Sequence, residues 1–337
     1  MKKVLLISQR HSIFTEPITR ALQQLECEVR FADYLGTTLL MTNTLSQRVF
    51  DKLPSVIREP LYRRELQKVD RHILDVANNF QPDLVFVSKG KTLGLDMLDE
   101  LRQKAVVVNW YPETMDHIQR MLHIAPHYSH FFNFDPLVVS TLTDSGYQQA
   151  HYLPFCADIA KDAVFPDTNY EYPISFIGSY DRVRYADREH ILARVKDLGL
   201  HVWGNKAWKD TSLHDVYHGY PSPLEMANIY ARSKVVISMH VSDVPGTGVN
   251  VRPFEITGAG GFLLNRDDKK EIFNLFKEGE EFIPFHNGDD IREKVEYYLT
   301  HDEERMRIAR AGFERTRALH TYLDRMSEIL RITGINT

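Results

Sequence analysis

Apolar residues run unbroken through "KVLLIS" at 3–8, a pattern that suits a strand covered on both faces in a parallel sheet. The stretch 17–25 is amphipathic with helical spacing, and "CEVRFADY" after it reads as a second strand, so the chain opens as a βαβ unit. Residues 39–79 carry a charge-rich helical pattern, and "DLVFVS" after Gln81-Pro82 is a further strand. "MLDELRQK" predicts a helix and "AVVVNW" a strand, and "HFFNFD", "LVVSTLTDSG" and "AHYLPF" continue the alternation. Alternating strands and helices predict a doubly wound first domain over 1–160.

"CADIAKDAVFPDTNYEYP" holds neither period, and Pro166 and Pro173 mark it as a linker. Alternation then restarts with "ISFIGS" as a strand, "YADREHILARVKDLG" as a helix stopped by Gly199, and "LHVWG" as a strand. "SPLEMANIYARS" predicts a helix capped by Ser222 with Pro223 at its first position. "KVVISMH" is a strand, "EFIPF" the last one, and the chain is helical from Asp289 to about Ile332. The expected α/β architecture is two Rossmann-like domains, 1–160 and 172–318, facing across a cleft, with a helical tail at 319–337 placed to pack back on the first. Open α/β sheets bind ligands beyond the carboxyl ends of their strands, so function is expected in the strand-to-helix loops.

Composition agrees with this picture and removes some alternatives. At 337 residues the chain suits two domains, and 43% hydrophobic with 26% charged residues is the balance of a globular protein. A net charge of -5 supplies no global pull toward nucleic acid or an anionic membrane, and neither is an expected partner. Two cysteines, Cys27 and Cys156, exclude a disulfide framework. No apolar run approaches the roughly eighteen residues of a membrane span, and "MKKVLLISQRHS" lacks the length and cleavage site of a signal peptide, so the expectation is a cytoplasmic protein.

Two loops carry candidate chemistry. In "FIGSYDRVR", Gly178 and Ser179 let backbone approach a ligand, while Arg182 and Arg184 can neutralise phosphate oxygens; a solvated turn with surface arginines is the alternative. It spells neither a Walker loop nor a dinucleotide fingerprint. In "NVRPFEITGAGGFLLNRDD", Pro253 suits the first helical position and Glu255 the first turn, where a carboxylate complements the helix dipole. Arg252 stands where a Ser or Thr cap would, so Glu255 has no reciprocal capping partner and is suited to accept hydrogen bonds from a ribose diol. Gly258, Gly260 and Gly261 end that helix and turn the chain into "FLL". "HDVYH" and "HIAPHYSH" have metal-like spacings, but Gly219-Tyr220-Pro221 stops the first and Pro126 interrupts the second, so no metal is expected.

"RPFEITGAGGFLL" resembles the signature of group 1 glycosyltransferases of the spore-maturation, CgeB-like branch. The likeness runs in order through "IGSYDRVR", "LHVWGNKAW", "MANIYARSKVVISMH" and "EEFIPF" to "HTYLDRMSEIL", where His320, Thr321, Tyr322 and Arg325 fit the closing motif. It covers most of 172–330; the first domain is matched mainly through "HYLPFCAD" and "NWYPE". The resemblance implies a GT-B fold whose second domain holds a UDP-, GDP- or dTDP-sugar donor, with no further cofactor. By that carry-over Glu255 would hold the ribose, Gly178, Ser179, Arg182 or Arg184 would lie near the diphosphate, and Gly204 and Tyr220 would frame the base. Arg252 would be a second phosphate ligand, a salt bridge to Glu255 three residues on being its alternative. Thr247 stands eight residues before Glu255, where retaining relatives often carry an acid.

An inverting transfer needs a base for the acceptor hydroxyl. His11, in the first strand-to-helix loop, is the first candidate, a surface histidine being the alternative, and Glu113 and Asp116 after "VVVNW" follow it. The acceptor, whether glycan, lipid, protein or small molecule, is not legible. A nucleotide-sugar epimerase or hydrolase, or a non-catalytic sugar- or partner-binding relative, fits the same fold.

Overall fold

The computed structural model describes residues 1–35, 50, 52–167, 169–241 and 244–335, so part of the charge-rich 39–79 stretch lies outside the described residues. The chain divides into two compact units, Met1–Leu153 with Tyr322–Thr337, and Pro154–Thr321.

The first unit opens with β1 (Lys3–Ser8), α1 (Thr15–Gln24), β2 (Glu28–Asp33), α2 (Ser55–Phe80) and β3 (Leu84–Ser88). It continues through α3 (Leu95–Arg102), β4 (Val106–Trp110), α4 (Ile118–Ile124), β5 (His130–Asn133), α5 (Pro136–Asp144) and β6 (Ala150–Tyr152). The sheet is parallel throughout, in the order β2-β1-β3-β4-β5-β6. Leu5, Ile7, Val85, Val87 and Val107 pack one face against α2 and α3 residues such as Ile73 and Leu98. Val4, Leu6, Leu84, Phe86 and Val108 are equally buried on the other face, which is why these strands read as continuous apolar runs. The direction of strand addition reverses between β1 and β3, so ligand-binding loops are expected beyond Ser8 and Ser88.

In the second unit come β7 (Tyr172–Ile177), α6 (Ala186–Ala193), β8 (Leu200–Trp203), α7 (Pro223–Ala231), β9 (Ser233–Ser238) and α8 (Arg252–Gly258). They are followed by β10 (Leu263–Arg266), α9 (Ile272–Leu275), β11 (Ile283–Phe285), α10 (Gly288–Thr300) and α11 (Asp302–Leu319). These strands are also all parallel, ordered β11-β10-β9-β7-β8, and the reversal falls between β7 and β9. Helix α6 is shorter than its sequence pattern: a 3₁₀ turn at Lys196–Leu198 follows it and Gly199, at φ 92°, makes the stop. Ser222 caps α7 as expected, in a full capping box with Glu225. The stretch read as a linker is packed rather than free. The Phe165 ring lies edge-on to Phe313 with centroids 5.5 Å apart, and the isolated bridge Ala157–Thr321 ties its start to the end of α11.

The chain then returns to the first unit as α12 (Tyr322–Thr333), which packs on α1 and buries Tyr322, Met326, Ile329 and Leu330. The Tyr322 ring meets Trp110 edge-on at 6.3 Å. Among the described residues, no helix is long and apolar enough to cross a membrane, and both cysteines are free and buried.

Candidate functional site

The second sheet gathers its polar side chains where strand order reverses. Gly178 and Ser179 follow β7, and Met239 and His240 follow β9. Arg188, in the first turn of α6, is only 6% exposed and joins the two strand ends: Nη1 donates to the Ser179 carbonyl at 2.6 Å and Nη2 to the Met239 carbonyl at 3.1 Å. Its guanidinium stacks on the Tyr185 ring at 3.9 Å, and burial pulls its pKa down to about 10. Arg188 was missed in the sequence. Its signal was position: with Ile191 and Leu192 of α6 and Val195 just after it, all buried, it completes an apolar stripe at helical spacing.

Around this bridge, Lys269 is buried with Nζ donating to the Val244 carbonyl at 2.7 Å. His240 is buried with Nε2 unpartnered, and burial, then Lys269 and Arg188, lower its pKa to about 3. Both Asp268 carboxylate oxygens are buried without hydrogen bonds, and desolvation raises that group.

Glu255 does lie in the first turn of α8, half-buried, but its carboxylate is partnered by the Arg252 guanidinium. Here the salt bridge three residues apart, rather than an unpaired carboxylate, is what the chain forms. The helix begins one residue earlier than its sequence suggests. Val251 is the cap residue and the Asn250 side chain accepts from the Arg252 amide at 3.0 Å, relieving an end that has no Ser or Thr. Gly260, at φ 81°, turns the chain out of α8, and an added Cβ would lie 2.6 Å from the Pro166 ring.

Gly178 and Gly204 meet backbone to backbone. A Cβ on Gly204 would stand 2.0 Å from the Gly178 carbonyl oxygen, which already accepts from Trp208 Nε1 at 2.8 Å. Arg182 and Arg184 are exposed on the loop before α6, and Arg182 reaches the Asp210 carbonyl at 3.3 Å. Asp181 folds that loop by accepting from the Arg184 and Val183 amides, bonds that hold its carboxyl below the usual range. Tyr220 is 75% exposed beside a pocket whose wall includes Tyr172, Trp203 and His218. Thr247 is exposed on the segment before α8.

In the first unit, His11 is exposed on the turn after β1, at that sheet's reversal point. Glu113 follows β4 and is held on three sides: Lys89 Nζ at 2.7 Å, Lys91 Nζ at 2.9 Å and His117 Nε2 at 3.3 Å. Burial raises the Glu113 pKa, but hydrogen bonds from the two lysines outweigh it and the net shift is downward. A carboxylate so held is a weak base and a good counter-ion. Asp116 is exposed on the 3₁₀ turn Met115–His117.

The histidines with metal-like spacing go elsewhere. His214 sits in a single 3₁₀ turn, His218 Nε2 meets His201 Nδ1 at 2.8 Å, His127 pairs with Asp99 and His130 with His151. Among the described residues, no group of three or more His, Cys, Asp or Glu is placed to hold a metal. His320 of the closing motif is structural: it is buried between the Phe254 and Phe276 rings and reaches the Leu275 carbonyl at 3.1 Å.

Residues 184–331, most of the second unit together with most of α12, match the family described as glycosyl transferase-like. The chain is similar to the spore protein CgeB of Bacillus subtilis (strain 168), 22% identical over 265 residues that span 72% of this chain and 80% of CgeB. Sucrose-phosphate synthase of Thermosynechococcus elongatus has the same fold, with TM-score 0.71 at 12% identity over 100% of both chains. So does HepE of Anabaena, solved with UDP and glucose, with TM-score 0.64 at 9% identity over 99% of this chain and 100% of that one. With the family match over 184–331 and the GT-B fold over both units, the chain is similar to group 1 glycosyltransferases of the CgeB-like type.

Proposed function

We propose that this protein transfers a sugar from a nucleotide-diphosphate donor, UDP-, GDP- or dTDP-linked, held by the second unit. The observation that carries this reading is the concentration of cations at the reversal point of that sheet: Arg188 across the ends of β7 and β9, with Arg252, Arg266 and Lys269 around it. Charge of that sign, held on rigid elements, stabilises a departing diphosphate. In this assignment Gly178 and Ser179 offer backbone to the diphosphate, Arg182, Arg184 and Arg252 neutralise it, and Gly204 and Tyr220 flank the base. Glu255 accepts from the ribose hydroxyls, keeping one oxygen for Arg252. HepE, solved with UDP and glucose, supports a donor of this class.

In the first unit, His11 is the group proposed to take the acceptor hydroxyl proton as the new glycosidic bond forms and the sugar–phosphate bond breaks. Glu113 is the weaker candidate because two lysines occupy its carboxylate, and Asp116 stands as the remaining one. UDP, GDP or dTDP should raise the melting temperature of the protein, and Glu255→Ala should abolish the rise. The absence of any shift with all three nucleotides would refute the donor assignment.

A further inference from the structure

The loops after β3 and β4 of the first unit bring together more positive charge than their own carboxylates answer. Lys89 and Lys91 both place Nζ on the same oxygen of Glu113, Oε1, at 2.7 and 2.9 Å, which sets the two ammonium groups within about 6 Å of each other. His117 approaches the other oxygen at 3.3 Å, and the Arg120 guanidinium is anchored on the Lys91 carbonyl. Over 89–91 and 113–120 three permanent cations face two carboxylates, Glu113 and Asp116. Both lysine side chains remain 36% exposed, whereas the Glu113 side chain is 16% exposed. The carboxylate therefore lies beneath the lysines and leaves their outer sides open.

The backbone is bent to produce this arrangement. Lys89 has φ 67°, a left-handed conformation that is unfavourable for a residue with a Cβ. The Gly90 amide donates to the Ser88 carbonyl at 3.0 Å, closing a tight three-residue turn around Lys89, a rare and strained form. Asn109, fully buried, clamps the turn by donating from Nδ2 to the Lys89 carbonyl at 3.2 Å, and the Lys89 amide reaches the Trp110 carbonyl at 3.2 Å. Strain held in place by a buried clamp is a mark of functional loops. A simple surface ion pair needs one lysine and no strained turn. Beneath the loops lies the Tyr111 hydroxyl, buried and without a hydrogen-bond partner, which feels the charges of Arg120 and Glu113.

We propose that Lys89, Lys91 and Arg120 form an anion site in the first unit, and that the acceptor this protein glycosylates carries a phosphate or carboxylate group bound there. Glu113 is the counter-ion that holds the lysines together until the anion arrives. Calling the ligand an acceptor rests on the glycosyl-transfer reading; the anion site itself does not.

Titration calorimetry of the full chain with glucose 6-phosphate, glucuronate, inorganic phosphate and glucose tests it. At least one of the three anions should bind and glucose should not; the choice between glucose 6-phosphate and glucuronate identifies the acidic group. Lys89→Gln/Lys91→Gln should weaken the anion about tenfold or more, from the loss of two charge-assisted hydrogen bonds. Lys91→Gln alone, which leaves the strained turn untouched, should give a smaller loss in the same direction. Glu113→Gln should tighten the anion, because it removes the competing carboxylate; a purely structural ion pair predicts no such gain. The inference falls if none of the anions binds. It also falls if the lysine variants bind as the parent does, or if binding persists in them but vanishes in Arg252→Ala, which would put the anion in the second unit. A chain that binds anions at the lysines yet shows no nucleotide-induced melting shift would retain this site and lose the transferase reading.

Discussion

Gly204 carries a constraint that no side chain at that position can meet. Its φ of 153° and the Gly178 oxygen 2.0 Å from where a Cβ would stand leave no room, since the obstacle is backbone and not a movable side chain. Gly204→Ala should destabilise the protein by roughly 3 kcal/mol, read from denaturant unfolding, with nucleotide binding lost in proportion; a variant as stable as the parent would show that the ends of β7 and β8 separate easily. His240 predicts a pH response. Burial keeps its imidazole neutral and its pKa near 3, while the unfolded chain takes up that proton near 6.5. The contribution is whole above about pH 6.5 and falls as pH drops toward 3, at about 1.4 kcal/mol per pH unit. Between pH 7.5 and 5 the parent should therefore lose more melting temperature than His240→Met; parallel losses would show that this histidine does not stay neutral in the fold.

The elements were legible where the pattern was local. Continuous apolar runs marked β1, β3 and β4, and Ser222-Pro223 located the start of α7 to the residue. Less of the site could be read, because its decisive contacts join positions far apart in sequence. Arg188 reaches Met239 across 51 residues, and only its place in the apolar stripe of α6 hinted at burial. Helix α8 shows the opposite failure. Its charged pair was visible, yet the missing Ser or Thr cap suggested a free Glu255, while Asn250 completes the cap and Arg252 takes the carboxylate. The turn that aims the lysines of "SKGK" was not legible, because it depends on Asn109, a strand residue 20 positions away.

On the scale of the whole molecule, the alternation of strands and helices foretold two α/β sheets, and both are present with their strands all parallel. Packing of the last helix follows from amphipathicity, not from any motif. Helix α12 covers the side of the first unit where α1 lies, and Trp110 gains an aromatic neighbour in Tyr322. A chain ending at Leu319 should expose that apolar surface, bind the dye ANS and melt at a lower temperature than the full chain. Identical dye binding and melting in the two proteins would show that α12 is dispensable to the first unit.

Because α12 follows the second unit in the chain, the first unit is assembled from two separated segments. During translation every residue of the second unit leaves the ribosome before α12 does. The first unit waits that long with one flank uncovered, a window in which a chaperone has something to hold. The chain also crosses between the units twice, at 153–154 and 321–322, so a protease that cuts one crossing leaves the other as a tether.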